Sequence, residues 1–150
     1  MEQGLAVAEI DRGKRNFLPL LLLGDESERM IGRYLDRGRL FAGYLGAEAI
    51  AVCVVTEEAP GLVEVKNLAV CPAFRRRGYG RHMLRHVERQ YAGCTVRLGT
   101  GESPATLGFY RACGYVYSHR VPGFFTDNYD HPIVEDGVVL RDMVYLQREA

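Results

Sequence analysis

The chain has no surplus of either charge: 19 Lys and Arg balance 19 Asp and Glu over 150 residues. A general binder of nucleic acid is therefore not expected, because affinity for a polyanion comes largely from phosphate neutralisation by excess Lys and Arg. Long apolar runs are lacking as well. The longest, Phe17 to Leu23, is interrupted by Pro19 and falls far short of the roughly 20 residues that a membrane-spanning helix needs. The start of the sequence shows no basic segment followed by an apolar stretch and a cleavage site, so no membrane partner is expected and a cytoplasmic location is. The four cysteines, Cys53, Cys71, Cys94 and Cys113, form no Cys-x-x-Cys pair of the kind that makes zinc knuckles or redox motifs, and they read as reduced thiols. His82 and His86 stand four apart but on the polar side of their segment, with no third ligand nearby, so no metal is expected. Internal repeats, low-complexity tracts and Pro- or Ser-rich linkers are also missing.

What is present is the composition of a globular chain, 47% hydrophobic. Its length suits one domain that buries roughly 70% of the surface its unfolded form exposes. Leu5 to Ile10 alternates weakly, as a first strand. Asp25 or Ser27 then caps a helix to about Arg37, with Met30, Ile31, Tyr34 and Leu35 on one apolar face and Gly38 ending it. Arg39 to Leu45, Ala49 to Glu57 and Leu62 to Val70 are rich in β-branched or aromatic residues and are separated by Gly46 and by Pro60-Gly61, the pattern of an antiparallel meander. Gly78 to Tyr91 reads as a helix and Thr95 to Gly99 as a short strand. A further helix starts at Ser103 or Thr106 and ends at Cys113-Gly114, and Tyr115 to Val121 and Val138 to Leu146 close the chain as strands. The order is roughly βαβββαβαββ, an α+β or α/β layered domain.

Within Leu62 to Val70 the apolar parity switches. Val63 and Val65 share a face opposite Glu64 and Lys66, yet Leu68 and Val70 fall on the parity of Glu64. Either the strand end is of mixed burial, or a bulge near Asn67 re-aims it; bulges of this kind splay strands and free backbone N–H groups beside active sites. Directly afterwards, Cys71-Pro72-Ala73-Phe74-Arg75-Arg76-Arg77-Gly78-Tyr79-Gly80 leads from strand to helix through an Arg- and Gly-rich turn. That layout suits a phosphate, because N–H groups at a helix N-terminus are unpaired and glycine lets the chain approach an anion closely. No Gly-Lys-Ser/Thr follows, and Met83 holds the third glycine slot of a dinucleotide fingerprint, so neither of those motifs is present.

Arg75-x-x-Gly78-x-Gly80 after Leu68-Ala69-Val70 resembles the acetyl-CoA pyrophosphate motif of the GNAT superfamily of N-acetyltransferases. Phe109-Tyr110-Arg111-Ala112-Cys113-Gly114-Tyr115 resembles its second signature, and Asp127-Asn128-Tyr129 through Gly137 to Arg141-Asp142-Met143 is similar to a bacterial subgroup, the YvbK-like proteins. The resemblance implies a GNAT fold over residues 1–150: a central mixed, mostly antiparallel sheet splayed at a bulge, with helices on both faces. It implies acetyl-CoA as cosubstrate and direct transfer of an acetyl group to a primary amine. The competing class is a catalytically silent acyl-CoA-binding module.

Residue by residue, the resemblance implies that the backbone of Leu68, Ala69 and Val70 holds the pantetheine arm and that N–H groups from Arg75, Arg76, Arg77, Gly78, Tyr79, Gly80 and Arg81 hold the pyrophosphate. For Arg76 and Arg77 the other reading is solvent exposure. An alkylammonium with a pKa near ~10.4 must lose a proton before it attacks. Glu64, four residues before Leu68, matches the general-base glutamate of the histone-acetylating branch; otherwise it is an ion-pair partner of Lys66, and other branches use ordered water. An N–H near Leu68 or Ala69 is implied as the oxyanion donor. Tyr110 matches the general acid that protonates the departing thiolate, or is one more packed aromatic. Ser103 stands where many members carry an asparagine that bonds the cofactor arm, or is a helix cap.

Charge is unevenly distributed. Residues 75–97 carry seven arginines and one acid, Glu88, whereas residues 121–137 carry Asp127, Asp130, Glu135 and Asp136 and no Lys or Arg. A basic cofactor side and an acidic substrate side suit a cationic amine. The acidic stretch is read as acceptor pocket, dimer contact or solvated loop closed by Asp136-Gly137. Edge strands also make a homodimer an expectation.

Overall fold

The computed structural model describes residues 4–150. Its centre is a seven-stranded sheet built from β1 (Ala6–Ile10), β2 (Arg39–Leu45), β3 (Glu48–Ala59), β4 (Leu62–Val70), β5 (Thr95–Gly101), β6 (Val116–Val121) and β9 (Met143–Glu149). The spatial order is β1-β2-β3-β4-β5-β9-β6, and every pairing is antiparallel except β4 with β5. A separate hairpin joins β7 (Val134–Glu135) to β8 (Val138–Val139). Asp136 and Gly137 at its tip have φ of 51° and 76°, the two left-handed residues that a tight two-residue hairpin turn requires.

Helices cover both faces. On one, α3 (Tyr79–Gln90) lays Met83, Leu84 and Val87 against Cys53, Val55, Val63, Val65 and Leu98. Leu107 and Tyr110 of α4 (Pro104–Ala112) pack against the same cluster. On the other face, α1 (Leu18–Gly24) and α2 (Glu28–Gly32) bring Leu21, Ile31, Tyr34 and Leu35 onto Leu40, Val52, Val54 and Ala69. Among the described residues no helix is long and apolar enough to cross a membrane.

The strand boundaries at Arg39–Leu45 and Leu62–Val70 agree with the sequence reading. Ser27 is the cap of α2, its hydroxyl accepting from the Met30 N–H at 3.2 Å. The helix there is shorter than expected, ending at Gly32 and continuing as turns, yet Met30, Ile31, Tyr34 and Leu35 are all buried. The expected last strand from Val138 is instead two pieces, interrupted at Leu140 to Asp142. A short α5 (Phe124–Asn128) fills part of the acidic stretch.

The parity switch has the structure of a bulge. Val54 pairs with Asn67 but the next residue, Val55, pairs with Val65, leaving Lys66 as the extra residue on β4. That shift keeps Leu68 and Val70 on the same helix-covered side as Val63 and Val65. It also ends the parallel pairing: β4 and β5 are joined only from Leu62 with Thr95 to Val65 with Leu98. Beyond that point β4 stays with β3 and β5 with β9, so the sheet opens into a V at the bulge.

Candidate active site

The V is the floor of a cleft of about 780 Å³. Along β4, residues after the bulge have β3 on one side and no strand on the other, so alternate residues from Asn67 to Val70 turn N–H and C=O toward the cleft. Leu68, Ala69 and Val70 all line it.

At one end stands the turn between β4 and α3. Arg76 has φ 64° and Gly78 φ 86°, a left-handed region that arginine rarely adopts and that is stored as strain of order 1–3 kcal/mol. Alternation of this kind aims successive N–H groups into one concavity, an anion nest. The first intrahelical bond of α3 runs from the His82 N–H to the Gly78 carbonyl at 3.0 Å, so the N–H groups of Tyr79, Gly80 and Arg81 belong to the unpaired first turn. Arg75, Arg76 and Gly80 line the cleft. The Arg75 guanidinium is fixed by a 3.1 Å bond from Nε to the Val70 carbonyl. Arg77 lies instead over the Phe74 ring, 5.6 Å from its centroid, outside the lining. At Gly80 a Cβ would lie 3.1 Å from Phe109 Cζ, so a larger residue there would have to displace the Phe109 ring by a few tenths of an ångström. These features fit a pyrophosphate carried by a long, narrow cosubstrate: convergent N–H groups, two guanidinium side chains, and an open strand edge leading inward.

Tyr110 lines the cleft from α4. Its position is set by the end of that helix, where the Tyr115 N–H donates to the Tyr110 carbonyl at 3.0 Å and Gly114 turns back at φ 93°. Behind it, buried Glu88 accepts from the Tyr115 hydroxyl at 2.8 Å and from Arg85, while Arg85 and Arg148 both donate to the Cys113 carbonyl. Burial pushes the Tyr110 phenol well above its ordinary pKa, so it holds its proton throughout the neutral range.

Glu64 has different neighbours from those of a base in the cleft. It is buried, 4% exposed, and outside the lining. One oxygen is bonded by Arg97 at 2.7–2.8 Å and the other by Lys66 Nζ at 2.7 Å. Glu64 and Arg97 are register partners one pair before β4 and β5 separate, and Lys66 is the bulged residue. The carboxylate thus ties the apex of the V to the bulge. Glu64→Gln is expected to lower stability by about 1–3 kcal/mol, since two partly buried cations lose their counter-charge. Its pH–rate profile should stay parallel to the wild type; a change of slope would return Glu64 to the proton-transfer step.

Ser103 is buried and also outside the lining. It occupies the position before α4 without making a side-chain cap, because its hydroxyl donates to Asp136 at 3.0 Å. Thr106 donates to Glu135 at 3.1 Å. The acidic hairpin is thereby docked on the start of α4, where a helix end favours negative charge.

The other end of the cleft is formed by the α1–α2 turn and the stretch after β6. Leu22, Leu23, Phe125, Tyr129 and Ile133 supply apolar wall, and Asp25, Glu26, Glu135 and Asp136 supply the acids. Two segments about a hundred residues apart are clasped here. Tyr129 donates to Asp25 at 2.8 Å, Arg29 donates to the Asn128 carbonyl at 2.8 Å, and His131 pairs with Glu26. Hydrogen bonds to Asp130 and then to Glu26 raise the pKa of the His131 imidazole. Asp142, a charge without a role in the sequence reading, accepts from the Gly123 N–H at 2.9 Å and pairs with Arg120, anchoring the start of this stretch. Sequence reasoning missed Asp25 as a cleft residue because a helix-cap role already accounted for it.

The Acetyltransferase (GNAT) domain family matches residues 36–117, which is more than half of the chain and spans bulge, turn and Tyr110. The chain belongs to the GNAT acetyltransferases, and acetyl-CoA is its cosubstrate. Bacillus subtilis YvbK, described as an uncharacterized N-acetyltransferase, is 34% identical over 131 residues, covering 85% of this chain and 84% of that protein. A GNAT family acetyltransferase from Elizabethkingia anophelis with acetyl-CoA bound shares the fold at TM-score 0.92 and 30% identity, covering 99% of this chain and all of that one. A Bacillus subtilis acetyltransferase in complex with CoA does so at TM-score 0.87 and 29% identity, covering 98% and 99% of the two chains.

Proposed function

We propose that the protein moves an acetyl group from acetyl-CoA directly to a cationic primary amine, on a small molecule or a peptide. One observation carries this reading. A single cleft is lined by Arg75 and Arg76 of the anion nest, by four carboxylates, by Tyr110 and by the opened strand edge of Leu68 to Val70. The turn from Arg75 to Arg81 holds the pyrophosphate, and the free backbone edge of Leu68 to Val70 holds the arm that bears the acyl group. An N–H freed at the bulge, near Leu68 or Ala69, stabilises the oxyanion that forms on attack. Tyr110 gives its proton to the departing thiolate, and Glu64 fixes the geometry of the V.

Thiol release against a panel of primary amines tests this reading. Turnover is expected with amines and not with matched alcohols. Turnover of alcohols alone would overturn it.

The same reading extends to the assembly and its surroundings. β6 is an edge strand with Val116 62% and Tyr117 54% exposed, which supports pairing of two copies along that edge. Light scattering should then give about twice the 16.8 kDa of the chain; a monomer at high concentration would contradict the pairing. Four free cysteines are consistent with a reducing, cytoplasmic setting.

A further inference from the structure

The acceptor's ammonium must lose a proton, and Glu64 is occupied by two cations outside the cleft lining. The four acids that line the cleft differ in what they already hold. Glu26 is paired with His131, while Glu135 and Asp136 are docked on the hydroxyls of Thr106 and Ser103 at the start of α4. Asp25, like Glu135 and Asp136, holds no cation, but it alone follows Gly24, which lies against Asn67 beside the bulge. Its oxygens accept from neutral donors only: the Tyr129 hydroxyl at 2.8 Å, the Ser27 N–H at 3.1 Å, and the Tyr34 hydroxyl at 3.5 Å, the limit of hydrogen bonding. Among the described residues no Lys, Arg or His forms an ion pair with it.

A second observation points to the same place. Asn67, the residue next to the bulge, lines the cleft and is 4% exposed. Its amide nitrogen donates to the Leu21 carbonyl at 2.9 Å and to the Tyr34 hydroxyl at 3.1 Å, but its Oδ1 is buried with no donor. That oxygen lies against Gly24, where any Cβ would collide with it. Asp25 and Asn67 are thus joined through Tyr34 beside the apex of the V, where Asn67, with its unfilled acceptor, lies against Gly24, the residue before the uncompensated carboxylate. A buried acceptor without a donor is unfavourable by about 1–3 kcal/mol, and this one lies against the residue that precedes Asp25.

We propose that Asp25 receives the ammonium group of the acceptor and takes its proton, with an apolar amine as the substrate class. This rests on the acetyl-transfer reading of the cleft. The Asp25 carboxylate accepts one N–H proton as the nitrogen lone pair closes on the acyl carbon. The carbon–sulfur bond then breaks with its electron pair left on sulfur, and Tyr110 protonates that sulfur. The nitrogen's remaining surplus proton restores the Tyr110 phenol, and Asp25 releases its own to solvent. The balance is ammonium plus thioester giving amide, thiol and one proton. The groups that face Asp25 are Tyr34, Tyr129 and Glu26 with its partner His131, and Lys66 elsewhere in the lining is held by Glu64.

The test uses 2-phenylethylamine, chosen because Leu22, Phe125 and Tyr129 wall that end of the cleft. An enzyme that binds the ammonium and removes its proton has a kcat/KM nearly independent of pH between about pH 6 and 9, below the amine's own pKa. Asp25→Asn is expected to lower kcat/KM at pH 7 by about 10²-fold or more and to leave a residual rate rising tenfold per pH unit, because only free amine then reacts. Trifluoroethylamine, already uncharged at neutral pH, should show a much smaller deficit. Asp25→Glu keeps a carboxylate and should keep the flat profile, which guards against a fold defect in the first variant. Parallel profiles for wild type and Asp25→Asn, or a wild-type profile that already climbs with unit slope, would overturn the assignment. So would a wild type that binds acetyl-CoA in calorimetry but does not acetylate this amine. Failure to bind acetyl-CoA would instead overturn the acetyl-transfer reading itself.

Discussion

Tyr110→Phe is expected to lower kcat by about 10²-fold or more, the usual contribution of a positioned general acid, while acetyl-CoA affinity stays within about twofold. The phenol stands in the cleft at the end of an α4 whose last turn is tied to Tyr115, Cys113 and Glu88, so removing one oxygen leaves the ring and its packing in place. The pH dependence follows from the direction of its shift. Burial favours the neutral phenol and raises its pKa, so the acid form is fully present below an ordinary tyrosine's value of about 10 and is lost only as pH climbs through the higher value. An alkaline fall in kcat centred near neutrality would therefore belong to some other group. Stopped-turnover assays of thiol release across pH, with calorimetric titration of the variant by acetyl-CoA, measure both quantities. Unchanged turnover would remove Tyr110 from the mechanism.

Gly78→Val is expected to weaken acetyl-CoA binding by about 10²-fold or more, equivalent to roughly 2.7 kcal/mol, while the protein stays folded. A Cβ at Gly78 meets nothing within 4 Å, so no packing is disturbed. The effect comes from φ 86° at the residue before α3, which costs an L residue about 1–2 kcal/mol and more when it is β-branched. Valine relaxes toward negative φ, and the alternation with Arg76 that aims the N–H groups inward is lost. Calorimetry and thermal denaturation on one preparation separate the two effects. Tight binding retained in this variant would mean that the pyrophosphate lies elsewhere.

Much of this was legible in the sequence where a local rule and the tertiary fold agree. The parity change between Val65 and Leu68 located the bulge, because a period of two cannot keep both halves of a strand on one face without an extra residue. The Arg- and Gly-rich turn was legible for a similar reason, since strand, glycine and helix start must coincide to build an anion nest. Glu64 was visible as an anomaly, a carboxylate in mid-strand, but its partners were only half visible. Lys66 is two residues away, whereas Arg97 comes from β5, and no single-chain periodicity announces a parallel register.

The α1 helix escaped because Pro19 reads as an interruption. It sits in the first helical turn, where its missing N–H would be unpaired in any case. The acidic stretch had no period to read. Its order comes from distant contacts, Tyr129 with Asp25, Asp136 with Ser103 and Asn128 with Arg29, and these exist only once the sheet has placed α1, α2 and α4 around the V. For that reason the proposed cofactor end of the cleft was legible in motifs while the proposed acceptor end needed the fold.

The cleft is expected to bind two substrates at once, acetyl-CoA and an amine. Calorimetric titration of the purified protein with acetyl-CoA, followed in the same preparation by thiol release on addition of 2-phenylethylamine, measures this. Saturable binding of acetyl-CoA and amine-dependent release of thiol are expected together, with release falling in Tyr110→Phe and binding falling in Gly78→Val. Binding of acetyl-CoA with no thiol released by any primary amine would contradict the account.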